Sequence, residues 1–261
     1  MNELLKARFQ QCHINEQNII KYVKTMSASQ GVIVYTSHLE GLGTADSDFD
    51  VYVIYNNDFD VSIRNEHVSS KCAEVYYENS FELDIEYWGK DKVTELIKKF
   101  NEGQYEAITL NEFKFLYRLI KGEILENESF IKGIIMKVKI SEFNNYLINC
   151  YLKDTNSLLY DALDFYNDKD FLSSILLGRK ALESLMGAIN ANNGYLCVKP
   201  KWINRICERN LCSDDPIWLN YLNFMFFSSI NVDNMEVFST NLLQFIQDNI
   251  TKLTASWAYN S

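Results

Sequence analysis

Residues 31–55, GVIVYTSHLEGLGTADSDFDVYVIY, contain two apolar stretches separated by a glycine-bearing loop that includes Ser37. Both stretches have the length and composition of β-strands. The second opens with Asp48-Phe49-Asp50, and because alternate side chains of a strand project from one face, the two aspartates are expected side by side. Magnesium prefers a few carboxylate oxygens together with substrate phosphates. The segment therefore predicts a place where Mg²⁺ is held on a nucleoside triphosphate, between a strand edge and a loop.

The spacing of these residues resembles the signature of the nucleotidyltransferase superfamily that includes DNA polymerase β. That pattern is an apolar strand, Gly-Ser, a loop, and then acid–apolar–acid. Here residues 33–35 lead into Thr36-Ser37, and Asp48 follows eleven positions after Ser37. The run GLGTADSDFD at 41–50 is especially similar to the small-molecule branch, such as the aminoglycoside and lincosamide nucleotidyltransferases. The chain departs from the pattern at Thr36, where the family usually has glycine, the residue that is indifferent to the sign of φ. The resemblance covers roughly the first 120 residues.

A third carboxylate is expected on a neighbouring strand. Residues 81–88, FELDIEYW, alternate acidic and apolar side chains with period two, which indicates a strand with one polar face. Asp84 is the first choice, because Leu83-Asp84-Ile85 has the apolar–acid–apolar form that the family uses. Glu86 lies on the same face and is the main competitor. An alternating acidic strand is also compatible with the plain solvated face of an antiparallel sheet.

The resemblance implies a Mg²⁺-dependent transfer of a nucleoside monophosphate, with AMP from ATP as the expected case, onto a hydroxyl group of a small-molecule acceptor. Asp48 and Asp50 would hold metal ions that bridge the phosphates. Asp84 would bind the second metal ion or act as the general base, and Glu86 could take either part. Clustered carboxylates repel one another, so the site is expected to be unfavourable until metal arrives.

Contacts to the nucleotide are expected from the loop and from the C-terminal half. Thr36, Ser37 and His38 lie where the resemblance places phosphate oxygens, although a solvent-exposed loop histidine is an equally good interpretation of His38. Lys180 and Lys201 could reach the triphosphate, where a cation offsets charge on the leaving pyrophosphate. For both lysines, a solvated helix face is the simpler alternative.

Composition limits the class of protein. The 261 residues are 47% hydrophobic and include 2 prolines and 10 glycines, which favours folded domains over low-complexity segments. The net charge of −10 argues against a nucleic-acid substrate and suits a cationic or neutral acceptor. No apolar run approaches the ~20 residues that a membrane span needs, and the N-terminus, MNELLKARFQQ, is not a signal peptide. A cytoplasmic protein with no membrane segment is therefore expected.

The order of elements predicts an α+β fold, in which an N-terminal nucleotidyltransferase mixed sheet with flanking helices is followed by an all-α helical bundle domain. The expected domains are 1–126, catalytic, and 127–261, helical. Since related small-molecule enzymes can build their sites across a dimer, a homodimer is one expected assembly. The expected strands span 31–36, 48–55, 72–77 and 81–88; the expected helices span 2–25, 92–100, 106–120, 137–166, 169–192, 217–228 and 233–254.

Other functions stay open at this point. Within the same chemistry, the acceptor could be a protein side chain, as in AMP-transferring antitoxins, or a tRNA end, which the net charge disfavours. The chain could also be a catalytically idle nucleotide-binding regulatory module, for which the Thr36 departure leaves room. A nuclease-like helical domain is disfavoured because no histidine follows His67.

Overall fold

The computed structural model describes residues 2–23, 31–55, 72–78 and 81–260. They form two compact units, Met1–Ile140 and Ser141–Ser261. The expected domain boundary at 126/127 falls before this division. The reason is that residues 123–126 form a strand of the sheet in the first unit, and the helix that follows packs on the same sheet.

Two helices open the first unit, α1 (Glu3–Gln11) and α2 (Glu16–Val23). The prediction of one helix over 2–25 was therefore wrong. The chain turns at His13, which has a φ of 56°. Asn15 and Asn18 then exchange backbone-to-side-chain hydrogen bonds of 2.8 and 3.0 Å, which starts α2 as a new helix.

Within the described residues, the sheet has five strands in the order β3-β4-β2-β1-β5. β2 and β4 run parallel, and the other three pairs are antiparallel, so the sheet is mixed, as predicted. Four of the strands were expected from the sequence. β5 was missed, because it is only four residues long, half-buried and at the edge of the sheet. The strands are β1 (Gly31–Tyr35), β2 (Phe49–Tyr55), β3 (Cys72–Glu78), β4 (Phe81–Gly89) and β5 (Glu123–Glu126).

The two faces of this sheet differ. One face is apolar: Val32, Val34, Val51 and other alternate strand residues form a core with α1 and α2. On the other face, strand register aligns Tyr35, Asp50 and Asp84 in one row across β1, β2 and β4. This alternation is what a sheet with period-two side chains dictates.

The described part of the first unit contains three further α-helices: α3 (Lys90–Asn101), α4 (Leu110–Lys121) and α5 (Glu128–Ile135). Gly89 is the N-cap of α3, and Asp91 lies in its first turn. Thr109 caps α4 in a reciprocal arrangement with Glu112. The apolar side of α4 packs on the sheet face that carries the carboxylates, where the ring of Phe115 stacks on Trp88 with centroids 4.0 Å apart.

The second unit is a helical bundle, as predicted. Its longest helices are α6 (Glu142–Asn167), α7 (Phe171–Asn192) and α10 (Met235–Asn260); α8 (Ile203–Asn210) and α9 (Pro216–Leu222) are shorter. α7 packs against both α6 and α10. A buried hydrogen bond of 2.7 Å between the Ser174 and Ser239 hydroxyls joins α7 to α10. Within the described part of the chain, no helix combines the length and apolar character of a membrane span.

Candidate active site

Three carboxylates meet on the polar face of the sheet. Asp50 of β2 lies directly opposite Asp84 of the parallel strand β4, and Asp48 precedes β2 at the same edge. One carboxylate oxygen from each residue lies within 4.8 Å of the others. Asp50 is buried, whereas Asp48 and Asp84 are half-exposed. The triad predicted from the sequence is therefore assembled by strand register.

The electrostatics of the triad favour a bound cation. Partial burial raises the pKa of Asp84, and neighbouring carboxylates raise it further, whereas Arg118 lowers it. These carboxylates are Asp48, Glu82 and Glu86. Like charges held this close disfavour the ionised form, and clustered carboxylate oxygens are the ligands that a hard divalent cation prefers. The donor set therefore fits Mg²⁺ or a similar ion.

Arg118 of α4 is a site residue that sequence reasoning missed. Its guanidinium is buried, and Nη1 donates a hydrogen bond of 2.8 Å to Oδ1 of Asp50 and another to the hydroxyl of Tyr52. The guanidinium also lies 5.2 Å from the centre of the Tyr35 ring. Burial opposes its charge, but Tyr52 and Asp50 raise the pKa of Arg118, so it stays cationic. The available signal was an arginine in the run FKFLYRLI, at a helical position between apolar neighbours.

The residue before Arg118 holds the loop. The hydroxyls of Tyr35 and Tyr117 donate to the two carboxylate oxygens of Glu40. Glu40 ends the short 3-10 helix that follows β1. Consecutive residues of α4 thus bind the loop, through Tyr117, and the triad, through Arg118. The loop and the carboxylates are fixed relative to one helix.

The loop after β1 is closed by its own side chains. The 3-10 helix Ser37–Glu40 ends at Gly41, whose φ of 66° favours glycine. The Ser37 hydroxyl donates to Oγ of Ser47 over 3.1 Å, and the same oxygen accepts the Thr44 N–H over 2.8 Å. Ser37 itself is buried. Its contact with phosphate stays a prediction.

Arg8 of α1 supports the end of this loop. Its Nη2 donates to the carbonyl oxygen of Ser47 over 2.9 Å, and its guanidinium lies 5.7 Å from the centre of the Phe49 ring. Both neighbours of Asp48, Ser47 through its backbone and Phe49 through its ring, therefore contact a buried cation from α1.

His38 contributes to loop closure. Its Nε2 donates to the Thr44 carbonyl over 2.9 Å, which fixes the tautomer. The ring packs on Gly43, where an added Cβ would lie 2.5 Å from it. A phosphate contact from His38 stays a prediction, and in this arrangement Nε2 is already engaged.

Thr36 occupies the position where glycine was expected. Its φ of −146° and ψ of 150° are extended backbone that any residue adopts, so the left-handed freedom of glycine is not needed here. The side chain is fully buried, and its hydroxyl oxygen has no hydrogen-bond partner within the described residues. The departure from the family pattern thus leaves the backbone unstrained and places an unsatisfied polar atom at the start of the loop.

Comparison with known proteins agrees with this geometry. The family model of the nucleotidyltransferase domain matches residues 16–156, more than half of the chain. The chain belongs to this family. No match is found among curated proteins. A solved structure described as a nucleotidyltransferase-like protein from Exiguobacterium sibiricum 255-15 is similar over 90% of this chain and 73% of that one, with a TM-score of 0.54 and 12% identity. At that identity, the likeness shows the fold.

Glu86 lies beside the triad of this nucleotidyltransferase domain. It sits two residues after Asp84 on β4, opposite Tyr52. Its Oε2 accepts a hydrogen bond of 3.1 Å from the indole of Trp88. In the described part of the chain, the residues whose carboxylate oxygens lie close enough together to bind one metal ion are Asp48, Asp50 and Asp84. The geometry thus favours Asp84 as the third acid, and a catalytic role for Glu86 stays a prediction.

Lys180 and Lys201 belong to the second unit. Both side chains are exposed, the first on α7 and the second just before α8. The Lys201 ammonium lies 5.9 Å from the centre of the buried Trp202 ring. Their contact with a triphosphate stays a prediction.

Proposed function

We propose that this chain is a Mg²⁺-dependent nucleotidyltransferase that transfers a nucleoside monophosphate, AMP from ATP as the expected case, onto a hydroxyl of a small-molecule acceptor. The observation that carries the proposal is the set of three carboxylate oxygens within 4.8 Å on adjacent strands of a nucleotidyltransferase domain. The ordered loop at Ser37 follows β1, the antiparallel neighbour of β2. Carboxylates and loop together supply what a metal–triphosphate complex requires.

In this proposal Asp48, Asp50 and Asp84 hold magnesium, which when bound polarises phosphate oxygens and lowers the pKa of the attacking hydroxyl. The acceptor oxygen bonds to the α-phosphorus, the bond from the α-phosphorus to the bridging oxygen breaks, and pyrophosphate leaves. The hydroxyl proton passes to a carboxylate. Asp84 suits that part because its carboxylate is half-exposed beside the other two acids; Glu86 is the competing base.

The loop and the lysines act on the phosphates. The Ser37 backbone is proposed to bind phosphate oxygens, with Thr36 and His38 holding the loop in place. Lys180 and Lys201 are proposed triphosphate contacts. If so, replacing either lysine by alanine raises the KM for ATP and leaves the Tm unchanged, because both side chains are exposed.

The acceptor is proposed to be cationic, such as an aminoglycoside-like polyamine. The net charge of −10 supports this choice, since an acidic protein attracts cations and repels polyanions. A homodimer and a cytoplasmic location are part of the same proposal.

Calorimetric titration of ATP with Mg²⁺ into the wild type and into Asp48→Asn/Asp84→Asn tests the nucleotide site. This pair is chosen because both side chains are half-exposed, so that the buried Arg118–Asp50 pair is spared. The matched control is Asp214→Asn/Asp233→Asn, which removes two exposed carboxylates from the second unit. Metal-dependent binding by the wild type and the control, and its loss in the triad variant, is the expected result.

An acceptor screen by pyrophosphate release then tests the transfer. Release that depends on an aminoglycoside supports the proposal, and labelling of a protein by ATP instead would favour the antitoxin-type alternative. If the wild type binds none of ATP, GTP, CTP and UTP, the proposal fails, and a catalytically idle fold that binds protein partners takes its place.

A further inference from the structure

Arg118 places a permanent positive charge inside the carboxylate site. Its guanidinium donates to Asp50 over 2.8 Å, and both side chains are nearly inaccessible, with exposed fractions of 8% and 7%. Its field also reaches Asp84, whose pKa it lowers. At such short range and with little solvent between them, these charges are weakly screened.

The charge balance of the site follows from this pair. Asp48, Asp50 and Asp84 carry three negative charges when ionised, and Arg118 compensates one of them. Asp50 is the buried member, and a buried carboxylate is tolerated when it is paired and hydrogen-bonded. Before any cation binds, Arg118 is therefore the group that compensates the charge of Asp50 and fixes the orientation of its carboxylate.

The hydrogen bonds of Arg118 fix its position. Nη1 is shared between Asp50 and the Tyr52 hydroxyl, and the rings of Tyr35 and Tyr52 lie 5.2 and 6.0 Å from the guanidinium carbon. A cation bound to Asp50 would therefore contact the same carboxylate as the Arg118 guanidinium, whose position is fixed by these contacts. The two positive charges repel each other.

We propose that Arg118 is a positioning residue that acts as a built-in counter-ion: it holds Asp50 ready for metal and, by its charge, limits the affinity of the triad for a free divalent cation. Tight metal binding then needs the negative charge that a nucleoside triphosphate brings. The inference rests on the proposed function, because it assumes that the triad binds the metal of a nucleotide complex.

The test measures Mn²⁺ alone, without nucleotide, from the signal of the free ion in electron paramagnetic resonance. Arg118→Gln removes the charge and keeps a hydrogen-bond donor, whereas Arg118→Lys keeps the charge and loses the planar fork. We expect Arg118→Gln to bind Mn²⁺ about tenfold more tightly than the wild type, since a repelling charge is gone. Arg118→Lys should stay within about threefold of the wild type.

Arg179→Gln is the matched control. Arg179 lies on α7 in the second unit, donates through Nε to the carbonyl of Phe224 over 2.9 Å, and lies 5.6 Å from the centre of the Phe238 ring. It shares the hydrogen bond and the aromatic contact of Arg118 but has no carboxylate partner in these contacts. Its Mn²⁺ affinity should equal that of the wild type.

Unchanged or weaker Mn²⁺ binding by folded Arg118→Gln would overturn the proposal, because a purely structural arginine predicts that outcome. If Arg118→Gln does not fold in metal-free buffer, recovery of its circular dichroism by Mn²⁺ supports the proposal and failure to recover opposes it. A change of about tenfold or more in Arg118→Lys would also contradict it, since the charge is retained. A wild type that binds no Mn²⁺ even with ATP refutes the proposed function instead.

Discussion

The two faces of the sheet arise from the same alternation of side chains along the strands, but they have different roles. On one face Val32, Val51 and Ile85 pack with α1 and α2 in an apolar core. On the other, Asp50 and Asp84 stand beside a buried arginine. Apolar packing is non-directional and tolerates many residues of similar volume, whereas the polar face depends on individual atoms. A single substitution should thus change stability on the first face and chemistry on the second.

Asp48→Asn should show the largest effect. It removes one of the three proposed metal ligands from a half-exposed position and leaves the Arg118–Asp50 pair intact. We expect nucleotidyl transfer to fall by about 10³-fold or more, since a metal ligand supplies several kcal/mol to the transition state. The Tm in metal-free buffer should not fall. Pyrophosphate release measures the transfer activity, and thermal unfolding measures the Tm. Full activity in Asp48→Asn would contradict the view that substitutions on the polar face change chemistry.

Asp50→Asn should lower stability as well as activity. It leaves the Arg118 guanidinium buried without its carboxylate, which costs about 3 kcal/mol. Denaturant unfolding of Asp50→Asn, Arg118→Gln and the double variant measures the coupling between the two side chains. We expect the double variant to lose less free energy of unfolding than the two single variants added together. Strict additivity would show that the pair is not a coupled unit.

Val51→Ala probes the apolar face at the residue that directly follows Asp50 in β2. Val51 is fully buried, and the deletion should cost about 2 kcal/mol of unfolding free energy through lost burial and a small cavity. The Mn²⁺ affinity of the folded protein should equal that of the wild type. A large loss of metal affinity would mean that the two faces are not independent.

The smallest of the expected stability effects is that of Asp84→Asn in metal-free buffer, and it depends on pH. Because the pKa of Asp84 is raised in the folded protein, the unfolded chain releases this proton first, near the ordinary value of 3.8. The free energy of unfolding without metal therefore declines as the pH rises above that value. At neutral pH the wild type is less stable by this amount. In chelator, Asp84→Asn should have the higher Tm at pH 7, and the difference should vanish at acid pH. With saturating Mg²⁺ and ATP, the wild type should instead have the higher Tm.

The acidic residues of the polar face were predictable because short, local sequence patterns identify them. Asp48 and Asp50 follow from period-two spacing after an apolar strand, and Asp84 from the acidic alternation of 81–88. The four longer strands were recognised for the same reason. The break between α1 and α2 was missed, because it depends on a left-handed turn at His13 and on side-chain capping by Asn15. β5 was missed because four half-buried residues carry no periodic signal.

The sequence by itself determined the acid pair, the serine of the loop, the family resemblance and the change from mixed sheet to helices after the first unit. The tertiary structure alone decided that Asp50 faces Asp84 across parallel strands, that Arg118 neutralises Asp50 from 68 positions away, and that Tyr117 binds Glu40 from 77 positions away. The physical reason is the range of the interaction. Sequence periodicity predicts which side of a strand or helix a residue occupies. The strand register and the packing of helices on the sheet determine which atoms that residue contacts.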